Sequence, residues 1–275
     1  MTDTPLQEIA EIADRFEEHA GSGAGATITW HSASHSDMGR VRHVNEDAFL
    51  DSQEQRLWVV ADGMGGHEEG ELASQSIVEA LSRTGEHARI SEFVNDVEDR
   101  LLDVHESLVS RAVTRQAGII GSTVAVLLAQ GHFAVCLWAG DSRVYRYRDG
   151  ALKQITQDHS LVEELVKNGG LQRDEAESHP DANVINRAIG ADQDLCLDVE
   201  LLKLHDDDRY LICSDGLYKE VNQDEIAEYM RVGDCTTICN TLVALALERG
   251  ANDNVTVVVV KFDQSSNDEL DTDTE

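Results

Sequence analysis

Acidic side chains recur where apolar runs begin or end. Leu57-Trp58-Val59-Val60-Ala61 runs into Asp62-Gly63, Phe133–Ala139 into Gly140-Asp141-Ser142, and Tyr210-Leu211-Ile212-Cys213 into Ser214-Asp215-Gly216. Asp253-Asn254 stands directly before the apolar run 255–260, and Glu46-Asp47 before Ala48-Phe49-Leu50. Charges at the edge of a core are costly, and convergent ones raise one another's pKa. A shared divalent cation is the usual compensation. The donors are all oxygens, without the His/Cys spacing that zinc favours, so Mg2+ or Mn2+ is expected. Two such ions sharing an aspartate would generate a bridging hydroxide and clamp a transferring phosphoryl group. Glycine after Asp62 and Asp215 is expected to turn the backbone sharply and bring carbonyl oxygens near an ion. Any one Asp-Gly after a strand is more often a plain turn; five such sites together are not so easily dismissed.

Buried strands and covering helices must position these carboxylates. Strand-like runs occur at 27–31, 57–61, 122–129, 133–139, 143–147, 209–213 and 255–262, several too apolar to be anything but buried. Helical patterns occur at 70–83, 91–116, 159–168, 223–231 and 234–249. Tight turns, as from 133–139 to 143–147 and on to 152–155, indicate antiparallel pairing, because parallel pairing needs a long crossover. Helices layered on antiparallel sheets are therefore expected. Residues 168–192 break the periodicity and read as an inserted surface segment. Residues 5–19 fit a short amphipathic helix, joined through the flexible GSGAGA at 21–26, and the tail 263–275 reads as disordered. The expected domains are thus 1–26, a catalytic body at 27–262 and an acidic tail.

The chain of 275 residues carries 53 acidic against 22 basic side chains, a net charge of −31, with 41% hydrophobic residues. That apolar content supports a folded body, and the charge argues against nucleic acid or an anionic membrane as partner. No apolar run reaches the ~18 residues of a membrane span. The N-terminus lacks a signal-peptide layout, and the five cysteines form no CxxC pair, so a cytoplasmic location is expected. Cys136 and Cys213 lie inside apolar runs and read as core. Residues 1–25 carry −5 and 263–275 carry −6, which leaves −20 on the body, and only five of the basic residues are lysines. Such a surface suits a salt-rich cytoplasm. Best folding and activity in dilute buffer, declining as KCl is raised, would overturn that expectation.

The ordered segments SDMGRVRHVNEDA (36–48), VVADGMGGHEEGELAS (59–74), GSTVAVLL (121–128), AGDSRVYRYRDG (139–150), TQDHSLVEEL (156–165), HPDANVINRAIG (179–190), LICSDGLYKEV (211–221) and NDNVTVVVV (252–260) resemble the bacterial form of the metal-dependent type 2C serine/threonine protein phosphatases. The resemblance covers roughly residues 28–262. It implies an α-β-β-α sandwich, an α+β fold of two antiparallel sheets with helices outside. It also implies hydrolysis of phosphoserine and phosphothreonine, with two Mn2+ or Mg2+ ions and a weaker third. By this resemblance Asp62 bridges both metals, Asp215 and Asp253 complete one site, and Glu46 with the Gly63 carbonyl serves the other. Asp47 holds a metal-bound water, Arg42 grips the substrate phosphate, and Asp141 shares a third metal with Asp215. Phosphorylated proteins and a cognate serine/threonine kinase are the implied partners, with no nucleic acid or membrane, and a monomer is expected.

Departures accompany the match. Met64 stands where animal-type members carry a histidine thought to protonate the leaving alcohol, and His67 is a nearby candidate for that role. Lys219 replaces an aspartate that often follows SDGLY, and Asn186 a frequent threonine. Residues 159–190 correspond to the variable flap, where substrate choice would reside. Ser214 and Cys213 are nucleophile types without a positioned base and read as strand packing. A phosphatase dedicated to one regulatory phosphoprotein, docked through the N-terminal helix, is a second reading. A silent phosphoprotein-binding module is a third, and retention of the whole carboxylate set speaks against it.

Overall fold

The computed structural model describes residues 11–12, 14–15, 27–176 and 179–265, apart from the side chains of His67 and Asp174. Its strands are β1 (Thr27–Asp37), β2 (Asp47–Ser52), β3 (Leu57–Met64), β4 (Gly121–Ser122), β5 (Val124–Gln130), β6 (Phe133–Ala139), β7 (Arg143–Arg148), β8 (Ala151–Gln154), β9 (Asp198–Lys203), β10 (Asp208–Cys213) and β11 (Val255–Ser265). The helices are α1 (His67–Leu81), α2 (Ile90–Arg115), α3 (Leu161–Lys167), α4 (Asp215–Tyr218), α5 (Gln223–Arg231) and α6 (Cys235–Arg249). One sheet runs β1-β11-β10-β7-β8, the other β2-β3-β5-β6-β9, with β4 beside the end of β3. Every pairing is antiparallel.

Strand periodicity explains why the central runs read as continuously apolar. Trp58 and Val60 of β3 face the space between the sheets, with Tyr210 and Ile212 of β10 and Val258 and Phe262 of β11. Leu57, Val59 and Ala61 face the other way, onto α1 and α2. Leu211, Val257 and Val259 likewise face α5 and α6. Both faces of each central strand are thus buried, which is the expected α-β-β-α sandwich. Its inner layer is keyed by Phe262, whose ring meets Trp58 and Tyr210 edge-on at 5.7 Å each. Among the described residues, no helix is long and apolar enough to cross a membrane.

Four expectations change. The run 133–139 does not pair with 143–147: β6 lies between β5 and β9, while β7 lies between β10 and β8 in the opposite sheet. The turn between them crosses the sandwich, and Gly140 (φ +112°) makes it possible, since a Cβ there would fall 2.6 Å from Thr123 Cβ. β1 extends to Asp37, although its Ser and His residues carry little apolar signal, because its backbone pairs with β11 from Thr27↔Ser265 to Asp37↔Val255. The same ladder carries β11 through residues 263–265, past the expected start of the tail at 263, because backbone pairing there needs no apolar side chains. The segment 168–192 is not all surface, since Ile189 is fully buried and Ser122 and Ile189 exchange backbone hydrogen bonds at 3.0 and 2.9 Å. The expected N-terminal helix lies outside the described residues except at positions 11, 12, 14 and 15, which are helical, and 266–275 lie outside them entirely.

Candidate metal centre

Antiparallel pairing places the start of one strand beside the end of its neighbour, and this gathers the carboxylates at one end of the sandwich. Asp47 opens β2 directly opposite Asp62 near the end of β3. β10 ends at Cys213, and Asp215 begins α4, while Asp253 precedes the neighbouring β11. The sheet-crossing turn delivers Asp141. Arg42, Glu46, Asp62, Gly63, Asp141, Asp215 and Asp253 all line one cavity of about 350 Å3. Asp47 is not on that wall; it is buried, and Ser214 Oγ donates to its Oδ2 at 2.7 Å.

The two Asp-Gly glycines have a different reason from the expected sharp turn. β3 continues through Gly63 to Met64, and Gly216 lies inside α4. A Cβ on Gly63 would fall 2.0 Å from the Gly70 carbonyl oxygen, and one on Gly216 would fall 2.0 Å from that of Asn254. Each glycine thus permits two backbones to touch. At Gly63 this seats α1 against β3, and the Glu46 carbonyl accepts both Gly63 N–H (3.1 Å) and Ser74 Oγ–H (2.6 Å).

Several positioning residues escaped the sequence reading. Asn254 is buried, with its Oδ1 accepting Glu46 N–H at 2.8 Å and its Nδ2 donating to the carbonyls of Met38 (2.8 Å) and Val44 (3.0 Å). It therefore fixes the loop that carries Arg42. Ser214, read as packing, holds Asp47 and accepts Thr256 N–H at 3.0 Å. Thr123 Oγ1 accepts Asp62 N–H at 3.1 Å. A lone buried Asn or Ser beside an acidic residue was the available signal, but its partners are distant in sequence. His67 opens α1, and its side chain lies outside the described residues.

The electrostatics follow from burying like charges together. Burial above all, then Asp215 and Asp253, pushes Asp47 up to about 7 against the hydrogen bonds from Thr256 and Ser214. Burial and Asp215 bring Asp141 up to about 7. Asp62 stands well above the usual carboxylate range, through burial and then Asp47, Asp215, Asp141 and Asp253. Arg42 donates to Asp253 Oδ2 at 2.7 Å, and that bond holds its guanidinium above its ordinary pKa. Burial lowers the Lys219 ammonium, but Asp215 and its neighbours outweigh it, so the net direction is up.

Among the described residues, no three His, Cys, Asp or Glu side chains already stand in coordinating geometry. Lys219 draws on Asp215, and Arg42 draws on Asp253. The donor set nonetheless fits hard cations. Asp47 Oδ1 and Asp215 Oδ1 are buried without a hydrogen-bond partner, and a buried carboxylate oxygen left so is costly unless a cation or water meets it.

A model of the protein phosphatase 2C family matches residues 33–243. A solved structure of PppA, a key regulatory component of T6SS in Pseudomonas aeruginosa, is 42% identical with a TM-score of 0.82, covering 86% of this chain and 99% of that one. The serine/threonine protein phosphatase PstP of Mycobacterium tuberculosis is 35% identical over 238 residues, which make up 86% of this chain. They make up 46% of that protein, so the chain spans about half the length of this curated relative. A crystal structure of the PstP catalytic domain in complex with two manganese ions is 32% identical with a TM-score of 0.78, covering 86% of this chain and 100% of that one.

Proposed function

The chain belongs to the protein phosphatase 2C family, and from that membership we propose that it is a metal-dependent protein serine/threonine phosphatase, removing phosphate that a serine/threonine kinase has placed on a protein. The observation that carries the reading is the convergence of five carboxylates and one guanidinium on a single cavity, with a sixth carboxylate directly beneath. Asp62, Asp215 and Asp253 would hold one Mn2+ or Mg2+ ion, and Asp62, Glu46 and the Gly63 carbonyl a second. Bound there, the ions would supply positive charge for the phosphoryl oxygens and a water acidic enough to attack at neutral pH.

The chain's own groups have defined tasks beside them. Arg42 is 39% exposed at the cavity rim and meets Asp253 through one nitrogen. Its Nη1 stands 3.8 Å from Glu46 Oε2, beyond hydrogen-bond reach, so that edge of the planar fork can still donate to the oxygens of a phosphate monoester. Asp47 lies beneath the cavity wall, and its buried, unpartnered Oδ1 would accept a hydrogen bond from a water seated between it and the cavity and orient that water. Ser214 and Cys213 are fully buried, and burial pushes the Cys213 thiol up to about 12, so neither serves as nucleophile. Asn183 and Ile185 of the segment 159–190 stand on the cavity wall, where a bound phosphopeptide would meet them.

The test is phosphate release from a small aryl phosphate and from phosphoserine, phosphothreonine and phosphotyrosine peptides, with Mn2+ and with chelator. Activity on the first two peptides is expected to vanish with chelator. Asp215→Asn should lose at least a hundredfold, roughly 3 kcal/mol of transition-state stabilisation. Equal turnover without metal would refute the reading.

A further inference from the structure

Lys219 follows Asp215 by four residues and joins two parts of the site. Its ammonium pairs with Asp215 Oδ2 and donates to Asn183 Oδ1 at 2.6 Å. A groove of about 560 Å3 adjoins the metal cavity, and Asp141, Asn183, Lys219 and Asp253 line both. Lys219 therefore stands on the divide between them. The two oxygens of Asp215 are used differently: Oδ2 is taken by Lys219, and Oδ1 is buried without a protein partner. Charge counting points the same way. The six site carboxylates, offset by Arg42 and Lys219, leave four negative charges, which two divalent ions neutralise. A further divalent ion at Asp141 and Asp215 would overshoot that balance and meet the ammonium at close range.

We propose that Lys219 is the resident cation of the Asp141–Asp215 corner, filling the place a further metal ion would take and tying the loop at Asn183 to the metal-binding end of α4. It is a positioning residue: it directs Asp215 Oδ1 toward an ion, and it anchors the wall that a substrate must pass. The inference rests on the two-ion phosphatase reading above.

The experiment measures Mn2+ bound per full chain by equilibrium dialysis, together with amide hydrogen exchange over 179–190, in the wild type and in Lys219→Asp, Lys219→Gln and Lys219→Arg. The wild type and Lys219→Arg are expected to bind two ions, and Lys219→Asp three. Lys219→Gln is expected to keep two but bind them about tenfold tighter, because a positive charge beside them is gone. Exchange over 179–190 in the metal-free protein should quicken at least tenfold in Lys219→Gln and stay near wild type in Lys219→Arg. Three ions in the wild type, two in a folded Lys219→Asp, or unchanged affinity and exchange in Lys219→Gln would each overturn the proposal. If Mn2+-dependent phosphate release persists alongside such a result, only the role of Lys219 falls. If the wild type neither binds Mn2+ nor needs it for phosphate release, the phosphatase reading falls first.

Discussion

Ser214→Ala tests whether the carboxylates are held by the sandwich or merely lie near one another. The wild-type hydroxyl is fully buried, donates to Asp47 Oδ2 at 2.7 Å and accepts Thr256 N–H at 3.0 Å. Removing a hydrogen bond to a charged carboxylate costs about 1.5–3 kcal/mol, and the buried Thr256 N–H left behind costs about 1–3 more. Because neighbouring groups relax in part, the loss expected is about 2–4 kcal/mol, or a fall in Tm of ~4–16 °C for a domain of this size. With Asp47 brought up to about 7, the bond reaches an ionised acceptor at pH 8 and a neutral one at pH 5.5. The destabilisation should therefore be larger at pH 8 and shrink to about 2 kcal/mol at pH 5.5. Urea unfolding in chelator at both values measures it, and a double-mutant cycle with Asp47→Asn isolates the pair. A coupling below ~0.5 kcal/mol at pH 8, or a loss independent of pH, would refute the reasoning.

Three further outcomes follow from the same geometry. Asp47 and Asp141 sit near 7 when folded against an ordinary 3.8, so the folded state binds more protons between those values. Their contribution to stability is full below about pH 4 and lost as pH rises through 7. The chelated protein should unfold at lower urea at pH 8 than at pH 5, and Mn2+ should remove the difference; a flat or rising profile in chelator would contradict this. Gly63→Ala forces a Cβ to within 2.0 Å of the Gly70 carbonyl, so β3 and α1 must separate, at a cost on the order of 3 kcal/mol. Gly70→Ala meets Glu46 Oε1 at 3.0 Å and the Gly63 backbone carbon at 3.1 Å, which a shift of a few tenths of an ångström relieves, and should cost visibly less in thermal unfolding. Arg42→Ala should lower kcat/KM on a phosphopeptide by about a hundredfold, with Arg42→Lys recovering part through charge alone; equal activity of all three forms would remove Arg42 from the site.

How much of this was legible beforehand differs by element. β3, β5, β6 and β11 announced themselves because both faces are buried and the side chains are apolar in succession. β9 and the part of β1 beyond residue 31 did not, because much of what holds them is backbone pairing at a sheet edge. The six carboxylates and Arg42 could be picked out by their places beside apolar runs and by resemblance. Their supports, Asn254 for the Arg42 loop and Ser214 for Asp47, act across 208 and 167 residues of chain, a separation that no local pattern encodes.

The residues by themselves determined the chemistry on offer: oxygen donors at strand termini and apolar runs that must be buried in layers, with the arginine for phosphate marked out by family resemblance. Tertiary structure decided which of those donors face one cavity. It sent β6 and β7 into opposite sheets, set Asp47 opposite Asp62, and placed the Lys219 ammonium on Asp215 and Asn183. The physical reason is range. Apolar periodicity is a property of a few consecutive residues, whereas a shared electrostatic site depends on registers and turns that only the assembled sandwich specifies.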